Sequence, residues 1–226
     1  MNEKATFKAP RGVNWNKLNL TARAVYIAIA ANVDFENCKC DFLSREKIAS
    51  IAGIKNPDDV SKYTNQLVEL GFISKTIKWI TKDDKRCIYT VLVKDNYNLV
   101  KTNIIRSGLT GKQIALFCTL AALRYKNSHR VRVTYDSCGL SAATFKKYIK
   151  ELEDINAIDK IADYVVFKRF VKCEDYKTNN KIEELLKADK ASKEYRMAKY
   201  AVEHPKSISN IDAYIDYAWS GVRRHS

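Results

Sequence analysis

Glycine and proline are scarce, 7 and 3 among 226 residues, which excludes a collagen-like pattern and leaves little for the turns of an all-β sandwich. No apolar run approaches the ~20 residues that span a bilayer, since the longest near-apolar stretch is Ala24 to Val33. The N-terminus MNEKATFKAPRG lacks the apolar segment of a secretory signal, so a soluble protein of the cytoplasm is expected. Histidine is confined to His129, His204 and His225, far from the only close cysteine pair, Cys38-Lys39-Cys40. That spacing suits no zinc site, and no metal or other cofactor is expected. The remaining cysteines, Cys87, Cys118, Cys138 and Cys173, complete no disulfide framework, and all six are expected to stay thiols. A GxxxxGK[ST] phosphate loop and a nucleophile signature are both missing. The paired acids Asp58-Asp59, Asp83-Asp84 and Glu183-Glu184 read as a helix start, a turn and a solvated helix rather than as metal carboxylates, so no enzymatic activity is expected.

What the chain has in quantity is apolar surface and positive charge. At 46% apolar it can bury a substantial core. Lys plus Arg number 40 against 26 Asp plus Glu, and the resulting +14 attracts phosphates or an anionic surface.

The chain also repeats itself. Tyr63, Leu67, Leu70 and Ile73 align with Tyr148, Leu152, Ile155 and Ile158 at a constant offset of 85. Upstream, Leu20, Thr21, Arg23 and Val25 align with Leu109, Thr110, Lys112 and Ile114, and Gly53-Ile54 with Gly139-Leu140. In each copy Leu-Thr marks a helix N-cap, followed by apolar residues at helical spacing: Val25, Ile27, Ala28 and Ile29, then Ile114, Leu116, Phe117 and Leu120. Ser44 caps a short second helix in the first copy, whereas Thr134 to Cys138 leaves room only for a shorter or irregular one in the second.

The third helix is the best signalled. Asn56-Pro57 supplies a cap and a proline at the first helical position, and Asp58-Asp59 suit the positive end of the helix dipole. Val60, Tyr63, Thr64, Leu67 and Leu70 then form one apolar face. In the second copy Ser141 caps, and Phe145, Tyr148, Ile149, Leu152 and Ile155 form the stripe. Gly71 and Asn156 end these helices as residues that tolerate a left-handed backbone. Strands are expected at Phe72 to Ile80 and Arg86 to Val93, and again at Ile158 to Ile161 and Tyr164 to Val171.

Helix, helix, helix, hairpin therefore occurs twice. This order resembles the winged helix-turn-helix family, and the run from Leu140 through Ser141, Thr144, Lys147 and Leu152 to Ile158 is similar to its Gly-Ile-Ser-x-x-Thr-Val-x-Arg-x-x-x-x-Leu-x-x-x-Gly-x-Ile pattern. Lys147 replaces the commoner Arg, Asn156 replaces Gly, and the first copy opens its third helix with acids. The expected fold is mainly α with small β-hairpins (α+β): two tandem winged-helix domains over residues 1–98 and 99–176, then a helical C-terminal tail over 177–226. The segment from Ile208 to Gly221 is similar to the closing helix of phage DnaD-like replisome organisers, with Ile211 in place of a proline.

The resemblance implies a double-stranded DNA-binding protein whose third helices read the major groove, in particular a phage or plasmid replication initiator. The tail would then recruit a host replication protein. Its candidate DNA contacts are Lys55, Ser61, Lys62, Asn65 and Gln66 in the first copy and Thr144, Lys146, Lys147 and Lys150 in the second. The hairpins add Lys75, Lys78, Lys82, Lys85 and Arg86, and Lys168 with Arg169. Tyr63, Tyr148, Trp15 and Trp79 read as packing residues, while Trp219 would anchor a partner or fold back. The alternatives are a transcriptional regulator of a mobile element, or a winged-helix module that docks a host protein through the acidic start of its first third helix and Trp219.

Overall fold

A computed structural model describes residues 6–34, 38–40, 43–79, 85–94, 97–124, 130–161, 163–171, 176–204, 214–215 and 217–219. The architecture is α+β, with small antiparallel sheets among helices. The first copy runs β1 (Thr6–Pro10), α1 (Val13–Lys17), α2 (Leu20–Ala30), β2 (Lys39–Cys40) and α3 (Arg45–Ala52). A 3-10 turn at Pro57–Asp59 then leads into α4 (Val60–Glu69), β3 (Ile73–Trp79) and β4 (Lys85–Val91). The second copy repeats the order: β5 (Tyr97–Lys101), a 3-10 turn at Thr102–Arg106, α5 (Gly111–Ala122), β6 (Arg130–Arg132), a 3-10 turn at Asp136–Cys138, α6 (Ala142–Asp154), β7 (Ile158–Ile161) and β8 (Tyr164–Phe167). Strand order matches as well, β2-β4-β3 in one sheet and β6-β8-β7 in the other. The duplication is thus larger than the sequence match, because it includes β1 and β5, which pair antiparallel with each other, and the short strands β2 and β6. Residues 98 and 99, the expected boundary, both lie in β5.

Local chemistry fixes the helix starts. Ser44 accepts from Lys47 N–H, Asn56 from Asp58 N–H and Ser141 from Thr144 N–H, as expected. Thr110 forms a full capping box with Gln113. In the first copy, however, the N-cap is Asn19, whose side chain accepts from Ala22 N–H, and Thr21 lies inside the helix. Asn19 outcompetes Thr21 because it sits where the chain is still extended, with an acceptor that reaches the third amide. Gly71 (φ 74°) and Asn156 (φ 54°) both adopt the left-handed conformation. Ile155 does not join the α6 stripe: it is the C-cap, already off the helix, and stays 42% exposed.

One continuous core spans both copies, with α2 packed against α5. Trp15, Tyr26 and Phe72 meet edge to face at its first-copy end, with ring centroids 5.4 to 6.0 Å apart. At the centre lies a buried cation. Arg23 donates from Nε to Leu18 O (3.0 Å) and from Nη1 to Cys138 O (2.8 Å) and Thr119 Oγ1 (3.1 Å). Thr119 Oγ1 also accepts from Trp15 Nε1 (3.1 Å) and donates to Ala115 O (2.8 Å), so its capacity is filled. Asn16 Nδ2 donates to Ser137 O at 3.0 Å, a further link between copies.

The tail is helical, as expected, and packs back on the second copy. α7 (Tyr176–Lys187), α8 (Lys193–Glu203) and helical residues 214–215 and 217–219 enclose a second apolar cluster of Ile182, Leu185, Leu186, Tyr195, Ala198, Ala201, Ile215 and Ala218. Tyr164 of β8 belongs to that cluster, with Ile161 of β7 and Trp219 packed against it. Glu183, expected on a solvated face, is buried at 7% exposure. No helix among the described residues is long and apolar enough to cross a membrane.

Close approach of the copies depends on Gly111. A Cβ there would sit 2.2 Å from Ala52 O and 2.4 Å from Ala52 C, both backbone atoms that cannot swing away. Alanine would gain about 1 kcal/mol of helix propensity but must push the copies apart, an overpacking cost of about 1–3 kcal/mol or more. Gly111→Ala is therefore expected to lower the thermal midpoint by several degrees; an unchanged or raised midpoint in a melting scan would refute the contact.

Candidate nucleic-acid interface

The matched third helices present different chemistry on the same frame. α6 buries Phe145, Ile149 and Leu152 against α5 and β7, with Tyr148 half-buried, so Lys146, Lys147 and Lys150 necessarily face out. Among the described residues no acidic side chain pairs with any of the three. Thr144, half-buried in the first turn, hydrogen-bonds with Ser141 at 2.9 Å. α4 buries Val60, Thr64 and Leu67, which leaves Lys62 and Asn65 exposed and Ser61 and Gln66 half-exposed. Lys62 lies 5.9 Å from the Tyr63 ring and Lys147 lies 5.6 Å from the Tyr148 ring, the same neighbour pair one repeat apart. The matched tyrosines are partly buried against the core, as their packing assignment requires.

The acids at the start of the first third helix do not act alone. Arg45, at the first position of α3, reaches Asp58 at 3.2 Å and offsets one negative charge beside exposed Lys55; Asp59 stays exposed. At the α3 N-terminus, the Glu46 carboxyl is held below its usual range by its own backbone N–H and by the Ser44 hydroxyl.

The two hairpins differ sharply. In β3–β4 the register sets Lys78 opposite Arg86 on one face, both exposed, with Thr76 beside them; Lys75 is half-buried on the other face. Lys85 pairs with Trp79 in the backbone register, and Lys82, with Asp83 and Asp84, lies outside the described residues. Trp79, read as a packing residue, is 56% exposed and Ile77 is 58% exposed. Ile73, Ile77 and Trp79 alternate on one strand face, but only Ile73 is covered, because the hairpin continues past the body that buries its base. Alternation in the sequence marks the face and not where the covering body stops.

The second hairpin is covered by the tail. Lys168 Nζ lies 2.8 Å from Asp159 and 3.2 Å from Glu183 of α7, so this expected DNA contact is already engaged within the chain. Burial pushes its pKa down, but the bonds and charges of Asp159 and Glu183 outweigh that and raise it. Arg169 is exposed. Arg132, a basic residue not singled out in the sequence, pairs with Glu203 of α8 and lies 3.9 Å from Asp163. Its neighbour Arg130 is buried near Glu183, and burial lowers its pKa to about 9. The sequence signal for this arrangement is faint: acids spaced along the tail helices, with nothing local to say that they turn inward.

The five described cysteines, Cys38, Cys40, Cys87, Cys118 and Cys138, are free thiols, and Cys173 lies outside the described residues. Burial raises the Cys138 pKa to about 11, so this thiol stays neutral beside Arg23. Comparison with family models, curated proteins and solved structures returned no match to this chain.

Lys168→Met removes the cation shared by Asp159 and Glu183. It is expected to cost about 1–2 kcal/mol of stability in denaturant titrations, less than a fully buried pair because a third of the lysine side chain meets water. Loss of DNA retention with stability unchanged would place Lys168 at the interface instead.

Proposed function

We propose that the chain is a double-stranded DNA-binding protein built on two fused winged helices, with α6 as the principal reader of the major groove. The observation that carries this reading is the outward row of Lys146, Lys147 and Lys150 on a helix rigidly seated by Phe145, Ile149 and Leu152. Three cations on one exposed helix face, none neutralised by a described acid, are the footprint a polyanion needs. The repeated order of helices and sheet strands supports the winged-helix reading, since both copies build strand order 1-3-2 behind their third helix. α4 contributes Asn65 and Gln66, amides able to pair with adenine, and Lys62 for phosphate. The exposed Lys78–Arg86 pair of the first hairpin lies along an adjacent backbone.

Within DNA binding, the sequence of Ile208 to Gly221 favours a phage or plasmid replication initiator acting in the cytoplasm, with the tail presenting a surface to a host replication protein. Selected motifs repeated at an origin would support that role, and motifs confined to promoters would favour the transcriptional regulator.

Lys147→Ala and Lys150→Ala each remove one phosphate contact. Each is expected to weaken binding and to flatten the slope of log K against log salt by about 0.9, with the thermal midpoint unmoved because both residues are exposed. Affinity and slope equal to those of the parent protein would refute α6 as the reader.

A further inference from the structure

The geometry points to a pseudo-two-fold axis relating the two copies, so that α4 and α6 meet one duplex in opposite senses and the target consists of two inverted half-sites. This rests on the DNA-binding reading above. Its structural basis is reciprocity. In a head-to-tail tandem, surface i of the first copy touches surface j of the second and the reverse contact is missing; in a two-fold arrangement both contacts occur.

Both occur here. Ala52 and Gly53, which close α3, abut Gly111 at the start of α5: Gly53 and Gly111 are so close that a Cβ on either would touch the other copy's backbone. The equivalent residues of the second copy, Cys138 and Gly139, abut the start of α2. Arg23 donates to Cys138 O at 2.8 Å, and a Cβ on Gly139 would lie 2.7 Å from Asn16 O and 3.2 Å from Arg23 Nη2. Arg23 lies in the first turn of α2 and Gly111 in the first turn of α5, so the end of each copy's second helix abuts the start of the other copy's matched helix.

Two self-contacts lie on the axis, as a dyad requires. α2 packs on its counterpart α5. β1 pairs with its counterpart β5 antiparallel, with Thr6 opposite Lys101, Lys8 opposite Leu99 and Pro10 opposite Tyr97. An antiparallel pair of equivalent strands has a local two-fold through its central pair, here Lys8–Leu99. β1 precedes α2 by the same number of residues as β5 precedes α5, so the strands and helices obey one operation. The axis therefore runs through the protein core. It cannot coincide with the axis of a bound duplex, and two readers that share a duplex must be related by a dyad perpendicular to it, which reverses the sense of one half-site.

The two readers differ in side chains, so the natural site need not look palindromic. A graft makes the symmetry visible. The substitutions Asp59→Thr, Ser61→Lys and Asn65→Lys give α4 the α6 residues Thr144, Lys146 and Lys150 at matched positions, where Lys62 already matches Lys147. The reciprocal graft is Thr144→Asp, Lys146→Ser and Lys150→Asn; Asp59, Asn65, Lys146 and Lys150 are exposed, and Ser61 and Thr144 half-exposed. Each full-length graft and the parent chain are used to select duplexes from a random pool. The expected result is an inverted repeat for each graft, with a duplex that turns one half-site around bound about tenfold more weakly or worse. A direct repeat, or a single unrepeated half-site, would overturn the dyad while the DNA-binding reading stands. Absence of any enriched motif for the parent chain would overturn the proposed function itself, and this inference with it.

Discussion

Everything else in the fold is arranged around a guanidinium with no access to water. Arg23 sits fully buried on α2, over the face of Trp15 at 5.7 Å. Burial lowers its pKa to about 10, which still leaves it charged at neutral pH. A charge in such a place persists only if its donors are met, and they are met by both copies: Leu18 O from the first, Cys138 O and Thr119 Oγ1 from the second. Without the guanidinium each of those buried acceptors loses a partner, at about 1–3 kcal/mol apiece. Lysine at this position offers no planar fork and could not span the same acceptors. The helix-closing carbonyl of one copy is thus tied to α2 of the other, alongside the α2–α5 packing and the β1–β5 ribbon that also join the copies.

A duplicated unit that shares one core is free to let its copies diverge on the outside. The first copy keeps a long hairpin with Lys78, Arg86, Ile77 and Trp79 exposed. The second has a short hairpin, and the tail packs over it through Tyr164 and Ile161, with Asp159, Glu183 and Glu203 satisfying Lys168 and Arg132. Formal charge is positive for both hairpins. Neutralisation within the chain separates them: Lys168 of the second hairpin belongs to a structural junction, while Arg169 and the α6 lysines stay exposed. Conversely α4, flanked by acids, depends on Arg45 to temper Asp58.

Much of the frame was legible from the sequence because it is local. Asn56, Ser44 and Ser141 cap where hydrogen-bonding side chains precede apolar periodicity, and Gly71 and Asn156 end helices by their tolerance of a left-handed backbone. The seated faces of α4 and α6 follow from their period, so the outward lysines follow too. What was not legible depends on partners distant in sequence. Lys8 pairs with Leu99 across the duplication, and a five-residue strand has too little pattern to announce itself. Glu183 reads as solvated from its neighbours and is buried because α7 docks on the second hairpin. Arg23 looks like an ordinary helical cation, and only the fold brings Cys138 O to it.

Through Arg23 the two copies are tied into one body, which should unfold cooperatively. Native-state hydrogen exchange, read by mass spectrometry on the parent chain and on Arg23→Ala, tests it directly. Amides of α2 and α5 should open with the same free energy, and the substitution should lower both together by about 3 kcal/mol or more. Separate opening energies for α2 and α5 in the parent chain, or a loss confined to α2 in the variant, would contradict the account.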